Sequence, residues 1–181
     1  MYSVGVVNTS GSQSMTDVTA SGSGATYSSG VLNLNASLTM MNVTASGSEG
    51  TISAGVQNWT SVLTMTNVIA VASGGGENRA VDNWSASPTM TNVTAAASGG
   101  TISYGLYNYS GSPTIRNSAI RAGGGTDNYG IYIYSGEPST VTVDSSQVTG
   151  STATFYCGAG DTCRAGASLL DGGPVSGNVV C

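Results

Sequence analysis

The sequence predicts an all-β chain wound as a right-handed parallel β-helix, with about 25 residues in each rung and an irregular C-terminal cap. Three observations carry this. Residues 5–29, 30–54, 55–79, 80–104 and 105–129 align beneath one another without a gap. They share the pattern Gly-Val-x-Asn-x-Ser-x-Ser-Pro-Thr-Met-Thr-Asn-Val-Thr-Ala, followed by a Ser/Gly-rich tail. Helical periodicity is missing, whereas Thr89-Met90-Thr91 alternates polar and apolar, as a strand with one inward face does. A period this strict means one supersecondary unit stacked on copies of itself.

Each column then has an expected role. Column two (Val6, Val31, Val56, Val81, Leu106), column eleven (Met15, Met40, Met65, Met90, Ile115), Val at column fourteen and Ala at column sixteen point inward. They belong to short strands of about three to six residues, separated by Ser/Gly turns and stacked at roughly 4.8 Å. Two columns are asparagine: Asn8, Asn33, Asn58, Asn83 and Asn108 at column four, and Asn42, Asn67, Asn92 and Asn117, preceded by Asp17, at column thirteen. Both are expected to form inward ladders, because an amide carries donor and acceptor and stacked copies satisfy one another. A competing reading is glycosylation, since Asn8, Asn35, Asn42, Asn58, Asn83, Asn92 and Asn108 lie in Asn-x-Ser/Thr sequons. Of these, only Asn35 lies off both columns.

After residue 130 the pattern decays. Ile133 replaces the ladder Asn, three extra residues enter between Pro138 and Ser145, and Ser145 stands where Asn is expected. Repeats are therefore assigned to 1–150 and a cap to 151–181, since an uncovered last rung would expose apolar core and an open edge. The three cysteines, Cys157, Cys163 and Cys181, all follow the repeats. The first two bracket Gly-Ala-Gly-Asp-Thr and could close as a disulfide. The third is either free or paired with material outside the chain. With no His and this spacing, neither a metal site nor a cofactor is expected. At the other end, Met1-Tyr2-Ser3 aligns with Thr26-Tyr27-Ser28, so the chain opens in mid-rung. That is expected of a slice of a longer array, or of a protein that reaches its destination without a classical signal peptide.

Composition excludes several classes. Charged residues are 7% of the chain, and the net charge of −5 comes with four Arg and no Lys. A chain without a basic cluster is not expected to bind nucleic acid or anionic membrane surfaces. No stretch is long and apolar enough for membrane insertion.

The segment Ser112-Pro113-Thr114-Ile115-Arg116-Asn117-Ser118-Ala119-Ile120, with Gly105-Leu106-Tyr107-Asn108 ahead of it, resembles the rung of right-handed β-helix repeat proteins of bacteria. These belong to the broad pectate-lyase-like superfamily, and the closest likeness within it is to large tandem-repeat surface and fibre proteins. The resemblance covers about residues 1–150. The tail from Gly166 to Val175 resembles the segment that closes such arrays, whose chains usually run on past the position of Cys181. The resemblance implies a fold and an extracellular, cell-surface or phage-type fibre setting, and no particular activity.

The outward columns bear on function. Column five holds Thr9, Leu34, Trp59, Trp84, Tyr109 and Tyr134; column three adds Tyr107 and Tyr132, and column twenty-five adds Tyr104 and Tyr129. These eight aromatics gather on one side, either as a stabilising ladder or as a contact surface for a flat sugar chain or another copy of the protein. A second array is threonine, from Thr39, Thr64, Thr89 and Thr114 at column ten and Thr16, Thr66 and Thr91 at column twelve. Its spacing of about 6.7 Å by 4.8 Å partly resembles the grid of β-solenoid ice-binding proteins, interrupted by Met41 and Arg116. Among nine dispersed carboxylates, Glu77 and Asp127 come nearest to a glycosidase pair, two rungs apart at roughly 9.6 Å. No His or Lys is available as a base. The expectation is a non-catalytic structural β-solenoid of an extracellular fibre, filament or adhesin. It would self-associate through the aromatic columns or the strand edge at Met1–Val6, with carbohydrate as a further partner. Ice binding and polysaccharide cleavage are the alternatives.

Overall fold

Each repeat is cut into three strands by three residues of positive φ. The first corner falls at Ser10, Asn35, Thr60, Ser85 and Ser110, and the second at Asp17, Asn42, Asn67, Asn92 and Asn117. The third falls at Gly24, Glu49, Gly74, Gly99 and Gly124. A single left-handed residue turns the chain without breaking the interstrand ladder. Asn35 N–H still donates to the Trp59 carbonyl (3.0 Å) and Asn67 N–H to that of Thr91 (3.1 Å), one coil on. Asn and Gly are the residues that adopt this conformation at least cost.

The computed structural model describes residues 1–134 and 136–180. It is a parallel β-solenoid of about 7 turns with roughly 25 residues per turn. The first coil runs Tyr2–Thr9, Ser12–Thr16 and Thr19–Ser23, and the fourth runs Glu77–Trp84, Thr89–Thr91 and Thr94–Ser98. Corresponding strands pair in parallel into three sheets of 8, 8 and 7 strands. The register is that of the repeat: Val31 lies against Val56, Met40 against Met65, Ala70 against Ala95. Strands of the first sheet are 8 residues long in the first five coils, longer than expected. They run through a bend at column one, where the paired register skips a residue. There the third sheet presses close: a Cβ on Gly55 would lie 2.6 Å from the Val71 nitrogen.

The core is a stack of the inward columns. Val31, Val56, Val81 and Leu106 are fully buried, as are Met40, Met65, Met90 and Ile115. Column four lines the same interior. Asn8 Nδ2 donates to Asn33 Oδ1 (2.7 Å), Asn33 to Asn58 (2.8 Å) and Asn58 to Asn83 (2.7 Å). The chain of amides stops there. Coil six offers Ile133 in place of an amide, and Asn108 donates instead to the Gly111 carbonyl (2.7 Å). Asn83 Nδ2 and Asn108 Oδ1 are left buried without a partner.

Column thirteen corrects the sequence reading. Asn42, Asn67, Asn92 and Asn117 do not face inward; they are exposed corner residues. Their amides bond along the surface, Asn42 to Asp17 (2.9 Å), Asn67 to Asn42 (3.1 Å) and Asn92 to Asn67 (3.2 Å). Tolerance of positive φ places Asn there, and the surface ladder is a by-product. Among the sequons, Asn35, Asn42 and Asn92 are thus exposed, while Asn58, Asn83 and Asn108 are buried. A second inward polar column went unread: Ser53 Oγ accepts from Gly50 N–H (3.1 Å), and Asn78 Oδ1 from Gly75 N–H (2.9 Å).

The three-residue insertion lies in the corner before Thr140, earlier than expected. Asn108 still faces Ile133, 25 residues on, whereas Thr114 faces Thr142, 28 on. Residues 151–180 extend the sheets in shorter coils. Tyr132 pairs with Tyr156, Val141 with Cys163, Val148 with Leu170, and the short strands Val175–Ser176 and Val179–Val180 follow. Cys157 and Cys163 form a disulfide across the corner between the first two sheets. Cys181 lies outside the described residues. Among those described, no helix is long and apolar enough to cross a membrane.

The two Asn columns predict opposite responses. Asn58→Ala strands a donor on Asn33 and an acceptor on Asn83, at about 1–3 kcal/mol each. Urea unfolding of that variant is expected to show a loss of about 2–5 kcal/mol. Asn67→Gly keeps the positive φ at the surface and should stay within about 1 kcal/mol of wild type.

Candidate functional site

On the outer face of the first sheet, side chains alternate out at columns three, five and twenty-three, so like residues of successive coils stack. The bend at column one adds column twenty-five to the same face. Ring contacts follow directly. Trp59 stacks on Trp84 (centroids 5.5 Å), Trp84 makes a tilted contact with Tyr109 (4.9 Å), and Tyr109 meets Tyr134 (6.0 Å). Tyr107 stacks on Tyr132 (5.8 Å) and Tyr104 on Tyr129 (5.4 Å). Trp84 to Tyr107 (6.0 Å) and Tyr104 to Tyr107 (5.2 Å) join the rows. The structure thus brings all eight of the sequence-predicted aromatics together.

A ninth ring of this connected network was missed. Tyr156 stacks on Tyr132 at 4.7 Å with the planes 8° apart. The 24-residue step from Tyr132 to Tyr156 hid it from a 25-residue alignment. The rings are not equally available. Tyr104 is 7% exposed and supports the others from beneath, whereas Trp59 is 42%, Tyr134 55% and Tyr156 37% exposed.

The face also holds an ion cluster that the sequence reading did not find. Arg79 donates to Glu77 Oε1 (2.7 Å from Nε, 2.6 Å from Nη2) and to Asp82 Oδ1 (3.1 Å from Nη1). Its guanidinium lies 4.0 Å from the centre of the Tyr107 ring. Asp82 is fully buried and also accepts from the Trp84 indole N–H (2.9 Å) and from Gln57 Nε2 (3.1 Å). Gln57 in turn accepts from Ser29 (3.2 Å). Burial pushes the Asp82 carboxyl above the usual carboxylate range, and Arg79, Gln57 and Trp84 offset only part of that. Burial works against the charge on Arg79 too, but the Asp82 and Glu77 carboxylates outweigh it and keep the guanidinium charged. The signal available in the sequence was that Gln57 and Asp82 interrupt a column that is apolar or aromatic in other rungs, and that Arg79 is the one charged residue in its column.

Glu77 and Asp127 occupy one column with Ile102 between them, and Glu77 is paired with Arg79. Among the described residues no group of three or more His, Cys, Asp or Glu could hold a metal ion. The threonine array lies on the second sheet, where Thr64 pairs with Thr89 and Thr66 with Thr91.

Comparison with protein-family models, with curated proteins and with solved structures gives no match. The class of protein therefore follows from the fold: a parallel β-solenoid repeat protein carrying an aromatic and ion-paired outer face.

Two measurements test this geometry. Asp82→Ala leaves Arg79 short of its buried partner and frees the Trp84 indole. Stability should fall by about 3–5 kcal/mol, and tryptophan emission should shift to the red. Tyr104, Tyr107, Tyr129 and Tyr132 all have their phenols pushed up, chiefly by burial. Below the ordinary tyrosine pKa of about 10 these phenols add no pH dependence to stability. Above it, unfolded phenols lose protons that the folded ones keep, so stability should fall as pH rises from there. Absorbance at alkaline pH should show these rings ionising late, together with unfolding.

Proposed function

We propose that the protein is a non-catalytic structural β-solenoid, part of an extracellular fibre, filament or adhesin, and that copies associate through the tyrosines at the C-terminal end of the aromatic face. The unbroken ring network from Trp59 to Tyr156 carries this reading. A stabilising ladder would not need its outermost rings in water, yet Tyr134 is exposed beside Tyr109, and Tyr156 is exposed beside half-exposed Tyr129 and Tyr132. Exposed apolar patches with tyrosine edges mark interaction surfaces. The Cys157–Cys163 disulfide suits an oxidising, extracellular setting. Engagement of Glu77 by Arg79 supports a role without catalysis. On this reading the chain belongs with the tandem-repeat surface and fibre proteins of the pectate-lyase-like superfamily that its rungs resemble.

The test is sedimentation velocity over a concentration series. Wild type should associate, and Tyr134→Ser combined with Tyr156→Ser should shift it to monomer with unchanged circular dichroism. Two identical monomers would contradict the proposal. The ice-binding alternative rests on the two-by-two grid of Thr64, Thr66, Thr89 and Thr91, which ends at Met41 on one side and Arg116 on the other. So small a grid is expected to give no thermal hysteresis.

A further inference from the structure

The N-terminal half of the same face is shaped differently from the tyrosine end. One wall is column twenty-three, where Tyr2 stacks on Tyr27 at 4.9 Å and Ile52 follows. The other wall is column five, with Leu34, Trp59 and Trp84. Between them lie Leu32, Gln57 and Arg79. The result is a pair of adjoining concavities of about 320 and 260 Å³ that share Tyr2, Gln57 and Trp59. Ligand sites run to about 300–1,000 Å³, and this groove crosses coils rather than closing over a single small molecule.

We infer that this groove binds a short stretch of a neutral polysaccharide. A pyranose ring offers an apolar face of C–H groups and an edge of hydroxyls. The exposed Trp59 and the Tyr2–Tyr27 pair line the groove with aromatic surface for the first. The floor, though largely buried, carries donors for the second. Of the five N–H groups of the Arg79 guanidinium, three are taken by Glu77 and Asp82. Among the described residues, no hydrogen bond takes the remaining two or the second N–H of the Gln57 amide. These groups are fixed beforehand: Asp82 anchors Arg79, Gln57 and the Trp84 indole at once. A preorganised floor lowers the ordering cost of binding.

Charge disfavours an acidic sugar. The positive charge of Arg79 is already matched by two carboxylates, so an acidic sugar gains no counter-ion and meets Glu77. The inference does not rest on self-association, because Tyr134 and Tyr156 take no part in the groove.

Isothermal titration calorimetry of the full chain tests it, with cellohexaose, mannohexaose, xylohexaose and an oligogalacturonate of the same length as probes. At least one neutral hexaose should bind saturably, and the oligogalacturonate should give no heat of binding. Trp59→Ala, which removes an exposed ring, should weaken binding by about tenfold, the size of a lost aromatic contact. Gln57→Leu should weaken it as well. The Tyr134→Ser, Tyr156→Ser variant should bind as wild type does. Silence with all three neutral probes overturns the inference, as does wild-type affinity in Trp59→Ala. So does binding of the oligogalacturonate at equal or greater strength, or loss of binding in the tyrosine variant.

Discussion

Every feature of this molecule depends on backbone ladders that hold each residue above its equivalent one coil earlier. Parallel strands supply hydrogen bonds at even spacing but offer no register of their own. Register here comes from side chains that match only their copies, above all the buried amides of Asn33, Asn58 and Asn83. A slip of one residue would turn every inward side chain outward. It would also part the buried amides from their partners. The corners enforce the same spacing, because a left-handed residue at each turn keeps its N–H in the ladder to the next coil.

That constraint turns a one-dimensional repeat into a surface. Once coils are in register, an outward residue that recurs becomes a row, and a change of residue between coils becomes a boundary within the row. Column three passes from Leu32 through Gln57 and Asp82 to Tyr107 and Tyr132. The face therefore changes from a groove with a polar floor to a plain tyrosine field. The Arg79 cluster sits at the junction, with its guanidinium against Tyr107 and its carboxylate partner holding Trp84. A buried ion pair of this kind adds little to stability beyond what packed apolar residues would give. Its evident effect is to fix the orientation of the rings and donors around it.

Much of this was legible in the sequence, for reasons of periodicity. The sheets, the inward columns, the column-four ladder and the grouping of eight aromatics all follow from residues recurring at one interval, and the Cys157–Cys163 pairing from two cysteines that bracket a short loop. What escaped were departures from the interval. Tyr156 lies on a shortened coil, and Gln57, Arg79 and Asp82 each occur once in their columns, so no repetition marks them as partners. Column thirteen misled for another reason. Asn recurs there almost as regularly as at column four, with Asp17 in the first repeat, but for its backbone conformation rather than its amide, and composition alone does not separate the two. The bend that lengthens the first-sheet strands was hidden in a glycine column that reads as a turn.

Side-chain amide contacts measured by nuclear Overhauser spectroscopy test the central claim most directly. In-register coils predict strong cross-peaks from the Asn33 amide protons to Asn58 and from those of Asn58 to Asn83, across donor–acceptor distances of 2.8 and 2.7 Å. These protons should also exchange slowly with solvent. Amides that exchange freely and show contacts only to their sequence neighbours would contradict the stacked coil and everything built on its outer face.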